Sequence, residues 1–273
     1  MNKRLKKFLK PVYCYSMGAT TILFTFIPES TFTYGLVHVD CPLEVIITCN
    51  RLLCLLTIFL ATSLIIYCCW RKRNSVTIEG ADYKIVVEYG DLFKKDDCKK
   101  VIAFDECYTT HVGSAPADIK PHSVCGQFLA KYPDIDDVIQ RYGLKHQRKH
   151  SEYQNQESYE TGSIIPYNDY LLLAFAKLDR DGLGRMEREE FLSCLNLMWK
   201  EIDRHHCQQS VALPILGSGI TRFKGETLNQ QQLLDMIIAS YKLSPDKLNR
   251  KATLYIVCSR DDNFSLNKIG EYV

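Results

Sequence analysis

Residues 213–223, LPILGSGITRF, decide the fold, because an apolar run ends there in Gly-Ser-Gly and a helical pattern follows shortly after. The run itself, QSVALPIL at residues 209–216, predicts a buried strand. Glycines let a backbone come close to a ligand, and consecutive N–H groups in such a turn form a nest that suits a diphosphate. Two interpretations stay open, an anion-binding loop or the tight turn that many α/β proteins have at this point.

Strand-like and helix-like segments alternate on both sides of this turn. The segments with strand patterns are 75–90 (one or two strands), 99–106, 169–178 and 252–260. The segments with helical patterns are 122–144 (broken at Pro133), 186–206 and 226–243. This alternation indicates an α/β sandwich of about 200 residues, from Val76 to the end of the chain.

Two uncharged apolar segments precede this part of the chain, Pro11–Ile27 and Leu52–Trp70. Leu52–Trp70 has nineteen residues, which reach about 29 Å as a helix, close to the thickness of a bilayer core. Pro11–Ile27 is shorter, but Phe8 and Leu9 can extend it, so both segments are predicted to be transmembrane helices. The first also resembles a signal peptide in having a basic start and an apolar middle. It has no A-x-A cleavage site, and a second span follows after a short loop, which favours a helical hairpin.

Basic residues flank the hairpin on one side. Five of the first ten residues are Lys or Arg, and residues 71–73 are Arg-Lys-Arg, whereas the loop between the spans carries Arg51 as its one basic residue. The positive-inside rule then predicts a two-pass membrane protein with both termini in the cytoplasm. The predicted organisation is a basic N-terminus (1–10), the hairpin (11–73) and a cytoplasmic domain (76–273). Asn50 and Arg51 are either an interfacial anchor or a helix–helix or pore-lining feature.

Metal binding is not expected. Residues 178–191 fit an EF-hand loop in part, but Leu183 occupies a ligand position and no second loop exists, so 179–182 is predicted to be a strand-to-helix turn. His205-His206-Cys207 lacks a second pair of ligands for zinc. The twelve cysteines include no C-x-x-C pair in the cytoplasmic part and are expected to be reduced thiols. A net charge of +2 indicates no particular partner, and no nucleic acid is expected.

The first strand region ends in Tyr89-Gly90-Asp91-Leu92-Phe93 (89–93), which resembles the Gly-Asp-Ile signature of macrodomains. With the Gly-Ser-Gly turn near the end of the chain, this is the macrodomain layout, a mixed sheet flanked by helices. More specifically, the domain resembles the macro-like domain of Thoeris anti-phage effectors of the transmembrane–macro type, in which two membrane helices also come first. The matching segments, in the expected order, are 101–110, 122–128, 159–167 and 213–223.

The resemblance implies roles for individual residues. Asp91 is implied to accept a hydrogen bond from the adenine amino group of ADP-ribose, and the amides of 217–221 to hold the diphosphate and distal ribose. Arg222 either adds charge to a phosphate or is solvated, and Phe223 either stacks on the ligand or packs in the core. The implied ligand-binding residues are Asp91, Leu92, Gly126, Gln127, Leu216, Gly217, Ser218, Gly219, Ile220, Thr221, Arg222 and Phe223.

The stretch HSVCGQF, residues 122–128, departs from the family pattern at one position. Cys125 stands where the family has a histidine, so the role of that position stays open. The next two residues, Gly126 and Gln127, are implied to line the wall opposite the glycine-rich turn.

The implied function is that of a sensor in the bacterial cell membrane. A partner TIR-domain enzyme converts NAD into an ADP-ribose derivative, histidine–ADP-ribose for this type, and the macro domain binds it. The protein then forms homo-oligomers, its helices disrupt the bilayer, and the infected cell dies, which is abortive infection. No cofactor and no catalytic residue are expected. Two alternatives stay open: a nucleotide-gated channel, and a membrane-anchored ADP-ribosyl hydrolase with Asp105 or Glu106 as base.

Overall fold

The structure is a computed structural model that describes residues 3–34, 42–115, 117–142, 149–219, 222–223, 228–249, 251–260 and 264–269. Its contacts divide the chain into two compact units, Met1–Arg73 and Asn74–Val273.

The first unit consists of helix α1 (Lys3–Phe26), a 3₁₀ helix (Glu29–Tyr34) and helix α2 (Leu43–Arg71). Among the described residues, α2 alone has the length and apolar composition that a membrane-crossing helix needs. The predicted second span lies within α2. The predicted first span lies within α1 except for its last residue, Ile27, and α1 also contains the basic residues from Lys3 onward, because the helix begins before the apolar segment.

Asn50 and Arg51 both contact the segment that joins the two helices. Asn50 is buried and donates a 2.9 Å hydrogen bond to the carbonyl oxygen of Phe32. The guanidinium of Arg51 forms a 2.8 Å ion pair with Glu29 and lies 5.5 Å from the centre of the Phe32 ring. These two polar side chains therefore hold the 3₁₀ helix against the start of α2.

A nine-stranded mixed sheet forms the second unit. Its strands run in the order β1-β2-β11-β9-β3-β7-β8-β10, and β6 pairs with β7. A separate two-stranded sheet contains β4 and β5. The strands are β1 Ser75–Glu79, β2 Lys84–Tyr89, β3 Cys98–Asp105, β4 Lys149–His150, β5 Glu157–Ser158, β6 Ile164–Tyr167, β7 Tyr170–Leu178, β8 Gly184–Met186, β9 Ser210–Pro214, β10 Arg222–Phe223 and β11 Leu254–Cys258. The helices are α3 Val124–Lys131, α4 Ile135–Tyr142, α5 Arg188–His205 and α6 Gln230–Leu243.

Five central strands run in the same direction, in the order β2, β11, β9, β3 and β7. Because the carboxyl ends of parallel strands lie at one edge of the sheet, the residues that follow them are brought together there. The predicted mixed sheet with flanking helices is confirmed, and the region 75–90 contains two antiparallel strands.

Hydrophobic cores lie on both faces of the sheet. Val101 and Leu173 pack in the core that also contains residues of α5 and α6, whereas Ile102 and Leu172 pack in the core that contains residues of α3 and α4. Successive residues of a strand point to opposite faces, so the unbroken apolar runs in β3 and β7 fill both cores.

The prediction of a strand-to-helix turn at 179–182 is wrong. This segment joins β7 to β8 in an antiparallel hairpin, and α5 begins only at Arg188. The carboxylate of Asp179 accepts hydrogen bonds from the amides of Asp181 and Leu183, both at 2.9 Å, and forms a 2.6 Å ion pair with Arg185. Asp179 therefore stabilises the hairpin, and no cluster of three or more potential metal ligands occurs among the described residues.

Candidate ligand-binding site

A cleft of about 350 Å³ opens at the carboxyl edge of the sheet, over the ends of β2, β11 and β9. The start of α3 and the first residue of α6 complete its walls. The lining residues are Gly90, Asp91, Leu92, Phe93, Val124, Gln127, Pro214, Ile215, Ser218, Gln230, Val257, Cys258 and Ser259. The structure thus brings together four of the twelve residues that the sequence analysis assigned to the ligand, namely Asp91, Leu92, Gln127 and Ser218.

Asp91 is fixed at the end of β2 by hydrogen bonds on both sides. The amide of Gly90 donates to the carbonyl oxygen of Cys258 on β11 at 3.2 Å, which holds the strand end in register. Asp91 then caps the 3₁₀ helix 92–94, since its Oδ1 accepts from the amide of Phe93 at 3.0 Å. The carboxylate is exposed to the cleft, whereas Leu92 is only 4% exposed and packs its side chain into the core. Asp91 is the one charged residue in the described lining of this cleft.

The Gly-Ser-Gly turn forms the wall beyond β9. Gly217 has a φ of +79°, which favours glycine, and a Cβ there would lie 3.0 Å from the ring of Phe223. The hydroxyl of Ser218 donates to the carbonyl oxygen of Ile215 at 2.7 Å. Ser218 and Gly219 are exposed, and no atom in the described part of the chain lies within 4 Å of where a Cβ on Gly219 would be. The exposed residues in the described part of the turn are therefore Gly219 and Ser218, whose hydroxyl is turned back to Ile215.

The remaining residues predicted in this loop have other positions. Leu216 is 1% exposed in the core, and Phe223 packs edge-on against Phe191 with 5.6 Å between ring centres. Phe223 therefore packs against the core, which was the alternative to stacking on the ligand. The backbone of Arg222 belongs to β10 and pairs with β8. Ile220 and Thr221 lie outside the described residues.

The opposite wall is the first turn of α3. The hydroxyl of Ser123 caps this helix by accepting from the amide of Gly126 at 3.0 Å. A Cβ on Gly126 would lie 2.2 Å from the carbonyl oxygen of Lys120, so Gly126 allows close packing and does not line the cleft. Gln127 lines the cleft, and its side-chain NH₂ group donates to the carbonyl oxygen of His122 at 3.0 Å. Cys125 is buried in the core, and burial together with the charge of Asp105 raises the pKa of its thiol.

The residues that sequence reasoning missed are largely the apolar walls of the cleft. Ile215 and Val257 line it, as does Cys258 at the end of β11. Burial raises the pKa of the Cys258 thiol to about 12, with a further contribution from the carboxylate of Glu88. This thiol is therefore neutral near pH 7 and is not a nucleophile there. The rule that sites lie at the carboxyl ends of parallel strands was the available signal for β11.

Neither carboxylate considered as a base lines this cleft. Asp105 accepts hydrogen bonds from the amides of Cys107 at 2.8 Å and Thr109 at 3.2 Å, and from the Thr109 hydroxyl. Burial raises the pKa of the Asp105 carboxyl, and the bonds from Thr109 oppose this increase. Glu106 is buried, and its Oε1 accepts from the Ser151 hydroxyl at 2.7 Å and from the Leu178 amide at 3.1 Å. Both carboxylates thus hold the loop after β3 in place.

Comparison with known proteins gives one family and a set of related structures. Residues 85–259 match the model of the family described as "Thoeris protein ThsA, Macro domain". The Thoeris protein ThsA of Bacillus amyloliquefaciens (strain Y2) is 28% identical over an aligned length of 212 residues, and the alignment covers 73% of this chain and 71% of that protein. A mutant of the Oceanobacillus iheyensis macrodomain aligns with a TM-score of 0.45 and 13% identity over 73% of this chain and 94% of that one. Thermosipho africanus DarTG in complex with ADP-ribose aligns with a TM-score of 0.43 and 12% identity over 72% of this chain and 46% of that one.

Proposed function

This chain belongs to the Thoeris ThsA macro-domain family, and on that premise we propose that its cleft binds an ADP-ribose derivative as a signal. The observation that carries the proposal is the cleft itself, which joins the carboxylate of Asp91 to the glycine-rich turn that follows β9. Its volume of about 350 Å³ is within the range of small-molecule sites.

The cleft offers different chemistry at its two ends. Asp91 supplies a hydrogen-bond acceptor for the amino group of an adenine, and the apolar side chains of Ile215 and Val257 lie between the two ends. The amide of Ser218 donates to the carbonyl oxygen of Ile215 at 3.4 Å, so the amide of the exposed Gly219 is the donor that the described part of the turn offers to a diphosphate. An acceptor at one end, apolar side chains in the middle and a backbone donor in the turn together match an adenosine diphosphate in one orientation.

The geometry of the two carboxylates after β3, Asp105 and Glu106, favours ligand binding without hydrolysis. A general base needs to be within hydrogen-bond reach of the water that it activates. Asp105 and Glu106 instead accept hydrogen bonds from their own surroundings, and neither lines the cleft. We therefore propose a receptor, not an ADP-ribosyl hydrolase.

The two N-terminal helices carry the proposed response to the ligand, which is disruption of the membrane. We propose that the protein crosses the bacterial cell membrane twice, with both termini in the cytoplasm, and that a TIR-domain enzyme makes its signal, histidine–ADP-ribose. Support comes from the apolar length of α2 and from the basic residues that flank the two apolar segments. Two helices cannot enclose a pore, so several copies must meet to disrupt the bilayer. The ligand drives this assembly only if it binds the assembled state more tightly.

Titration calorimetry on the full-length protein in detergent tests the binding step. ADP-ribose and histidine–ADP-ribose are the ligands, and AMP, which lacks the second phosphate and distal ribose, is the control. We expect saturable binding of both ADP-ribose compounds and weaker binding of AMP. Absence of binding for both ADP-ribose compounds would refute the proposal.

Dye release from liposomes that contain the protein tests the output. We expect release only when the ligand is added, with a steep dependence on the protein-to-lipid ratio because several copies must assemble. Release that is the same with and without the ligand would contradict the signalling role.

A further inference from the structure

The second unit begins at Asn74, the residue at which the chain arrives from α2 through the basic residues 71–73. The strand that follows, β1, is antiparallel to β2, so its start lies beside the end of β2. The carbonyl oxygen of Asn74 accepts a 3.0 Å hydrogen bond from the amide of Tyr89, the last residue of β2. Asp91 of the cleft is two residues further along the chain. The chain from the N-terminal helices therefore joins the sheet at the edge where the cleft opens.

The side chain of Arg260 fixes this junction a second time. Its Nη2 donates to the side-chain oxygen of Asn74 at 2.8 Å, and its guanidinium carbon lies 4.7 Å from the centre of the Tyr89 ring. A cation over an aromatic ring is attracted to the ring, so one guanidinium joins both residues. Tyr89 in turn packs edge-on against Phe264, with 5.8 Å between ring centres. We call Asn74, Tyr89 and Arg260 the linker clamp.

The linker clamp and the cleft share one wall. A cavity of about 380 Å³ is lined by the three clamp residues together with Gly90, Cys258 and Ser259. These last three also line the cleft, whereas Asn74 and Arg260 do not belong to its described lining. The amide of Gly90 donates to the carbonyl oxygen of Cys258 at 3.2 Å, so the shared wall continues the pairing of β2 with β11. A change in this wall therefore reaches the clamp through the backbone of two paired strands.

We propose that the linker clamp is the element that passes ligand binding on to the N-terminal helices. The inference rests on the proposed function, in which a ligand in the cleft promotes disruption of the membrane. A ligand that contacts the shared wall changes the position or the mobility of that wall. The clamp carries the change to Asn74, because a hydrogen bond links the backbones of Asn74 and Tyr89 and the guanidinium of Arg260 bridges their side chains. Coupling between two sites is a free energy carried by such packed and hydrogen-bonded groups, so it falls when the groups are removed.

Two variants of the full-length protein separate coupling from binding. Arg260→Met removes the guanidinium, and Asn74→Ala removes its acceptor but keeps the backbone hydrogen bond to Tyr89. Calorimetry in detergent should give unchanged affinity for histidine–ADP-ribose in both, because neither side chain lines the cleft. In liposomes, the concentration of histidine–ADP-ribose that gives half-maximal dye release should rise about tenfold, a typical size of coupling between sites. A merely structural role would not separate these two measurements.

Three further variants make the comparison specific. Asn74→Asp keeps an oxygen for the guanidinium and should release dye as the wild type does. Arg141→Met, an exposed arginine on α4, is the matched control and should also respond normally. The double variant Asn74→Ala/Arg260→Met should be no weaker than Arg260→Met alone, because both substitutions remove the same contact.

The outcomes distinguish this inference from the proposed function. If the wild type shows no ligand-dependent release, the proposed function fails, and the coupling fails with it. If the wild type responds, and Arg260→Met and Asn74→Ala respond at the same ligand concentration or lose affinity and release equally, the proposed function stands and the clamp is not the coupling element. Release without ligand in either variant would also overturn the inference, because the clamp would then restrain the helices instead of passing on the signal. Losses that multiply in the double variant would show that the two side chains act separately.

Discussion

The carboxylate of Asp91 accepts a hydrogen bond from the amide of Phe93 at 3.0 Å, so one side chain both caps a 3₁₀ helix and borders the cleft. The cap fixes the position of the carboxylate, since its Oδ1 is held over the helix start. A substitution at this position therefore changes local stability and ligand recognition together, unless the new side chain retains the capping oxygen.

Asparagine at position 91 separates the two roles. Asp91→Asn keeps an oxygen for the cap but replaces an acceptor by an NH₂ donor, which cannot accept from an adenine amino group. We expect affinity for ADP-ribose to fall at least tenfold, with the free energy of unfolding unchanged. Asp91→Ala should lose the affinity and also about 1 kcal/mol of stability. Calorimetry and urea unfolding measure the two quantities, and Asp136→Asn on α4 is the control for an exposed acid. Unchanged affinity in Asp91→Asn would remove Asp91 from the site.

Gly217 is expected to be intolerant of a side chain for reasons internal to the fold. Its φ of +79° disfavours any L-residue by about 1–2 kcal/mol, and a Cβ would lie 3.0 Å from the Phe223 ring. Gly217→Ala should therefore lower the free energy of unfolding by at least about 1 kcal/mol. Urea unfolding followed by the fluorescence of Trp199, which is buried in the core, gives this value. Gly217→Ala with wild-type stability would show that the turn adapts.

Gly219 is the counterpart, because the fold gives it room. A Cβ at this position would meet no atom of the described residues within 4 Å, so Gly219→Ala should leave the free energy of unfolding unchanged. If the amides of the turn hold a diphosphate at close range, the added methyl group should still weaken ADP-ribose binding by about tenfold. Calorimetry at matched protein concentration measures the affinity of Gly219→Ala for ADP-ribose. Normal affinity in Gly219→Ala would mean that the ligand does not approach the turn here.

The contrast between these two glycines shows what the sequence could predict. The strands around the turn were predictable because apolar runs such as 171–176 and 254–258 are local signals. The position of Asp91 opposite the turn followed from a resemblance. Gly217 is needed for backbone geometry, whereas Gly219 is not. This difference depends on the φ angle of Gly217 and on the position of the Phe223 ring beside it, and the sequence shows neither.

Two physical causes explain the residues that could not be predicted from the sequence or were predicted in the wrong place. Ile215 and Val257 look like core residues in the sequence, and they line the cleft only because their strands end at its floor. Leu216 lies next to Ile215 but is buried in the core. The strand Gly184–Met186 is three residues long, too short for an alternating pattern, so the turn at 179–182 was predicted to lead directly into a helix.

Asp105 gives a pH dependence whose sign follows from burial. Burial raises the pKa of this carboxyl above its usual value of 3.8, so the folded state binds its proton more tightly than the unfolded state does. As pH rises from 3.8 through the raised pKa, the unfolded state loses the proton first, and the stability contributed by the protonated form is lost. Asp105→Asn keeps an oxygen for the amides of Cys107 and Thr109 and cannot ionise, so it escapes this loss.

We therefore expect Asp105→Asn to gain stability relative to the wild type as pH rises from 4 towards 7, by at most about 1.4 kcal/mol per pH unit. Urea unfolding at several pH values measures the difference, and Asp136→Asn, an exposed acid on α4, is the control. The same measurements test the receptor role, because a buried carboxylate that serves only to hold its loop is not needed for ligand binding. Asp105→Asn should accordingly bind ADP-ribose as the wild type does. A stability difference that is constant with pH, or that shrinks as pH rises, would show that the Asp105 carboxyl does not titrate above its usual range.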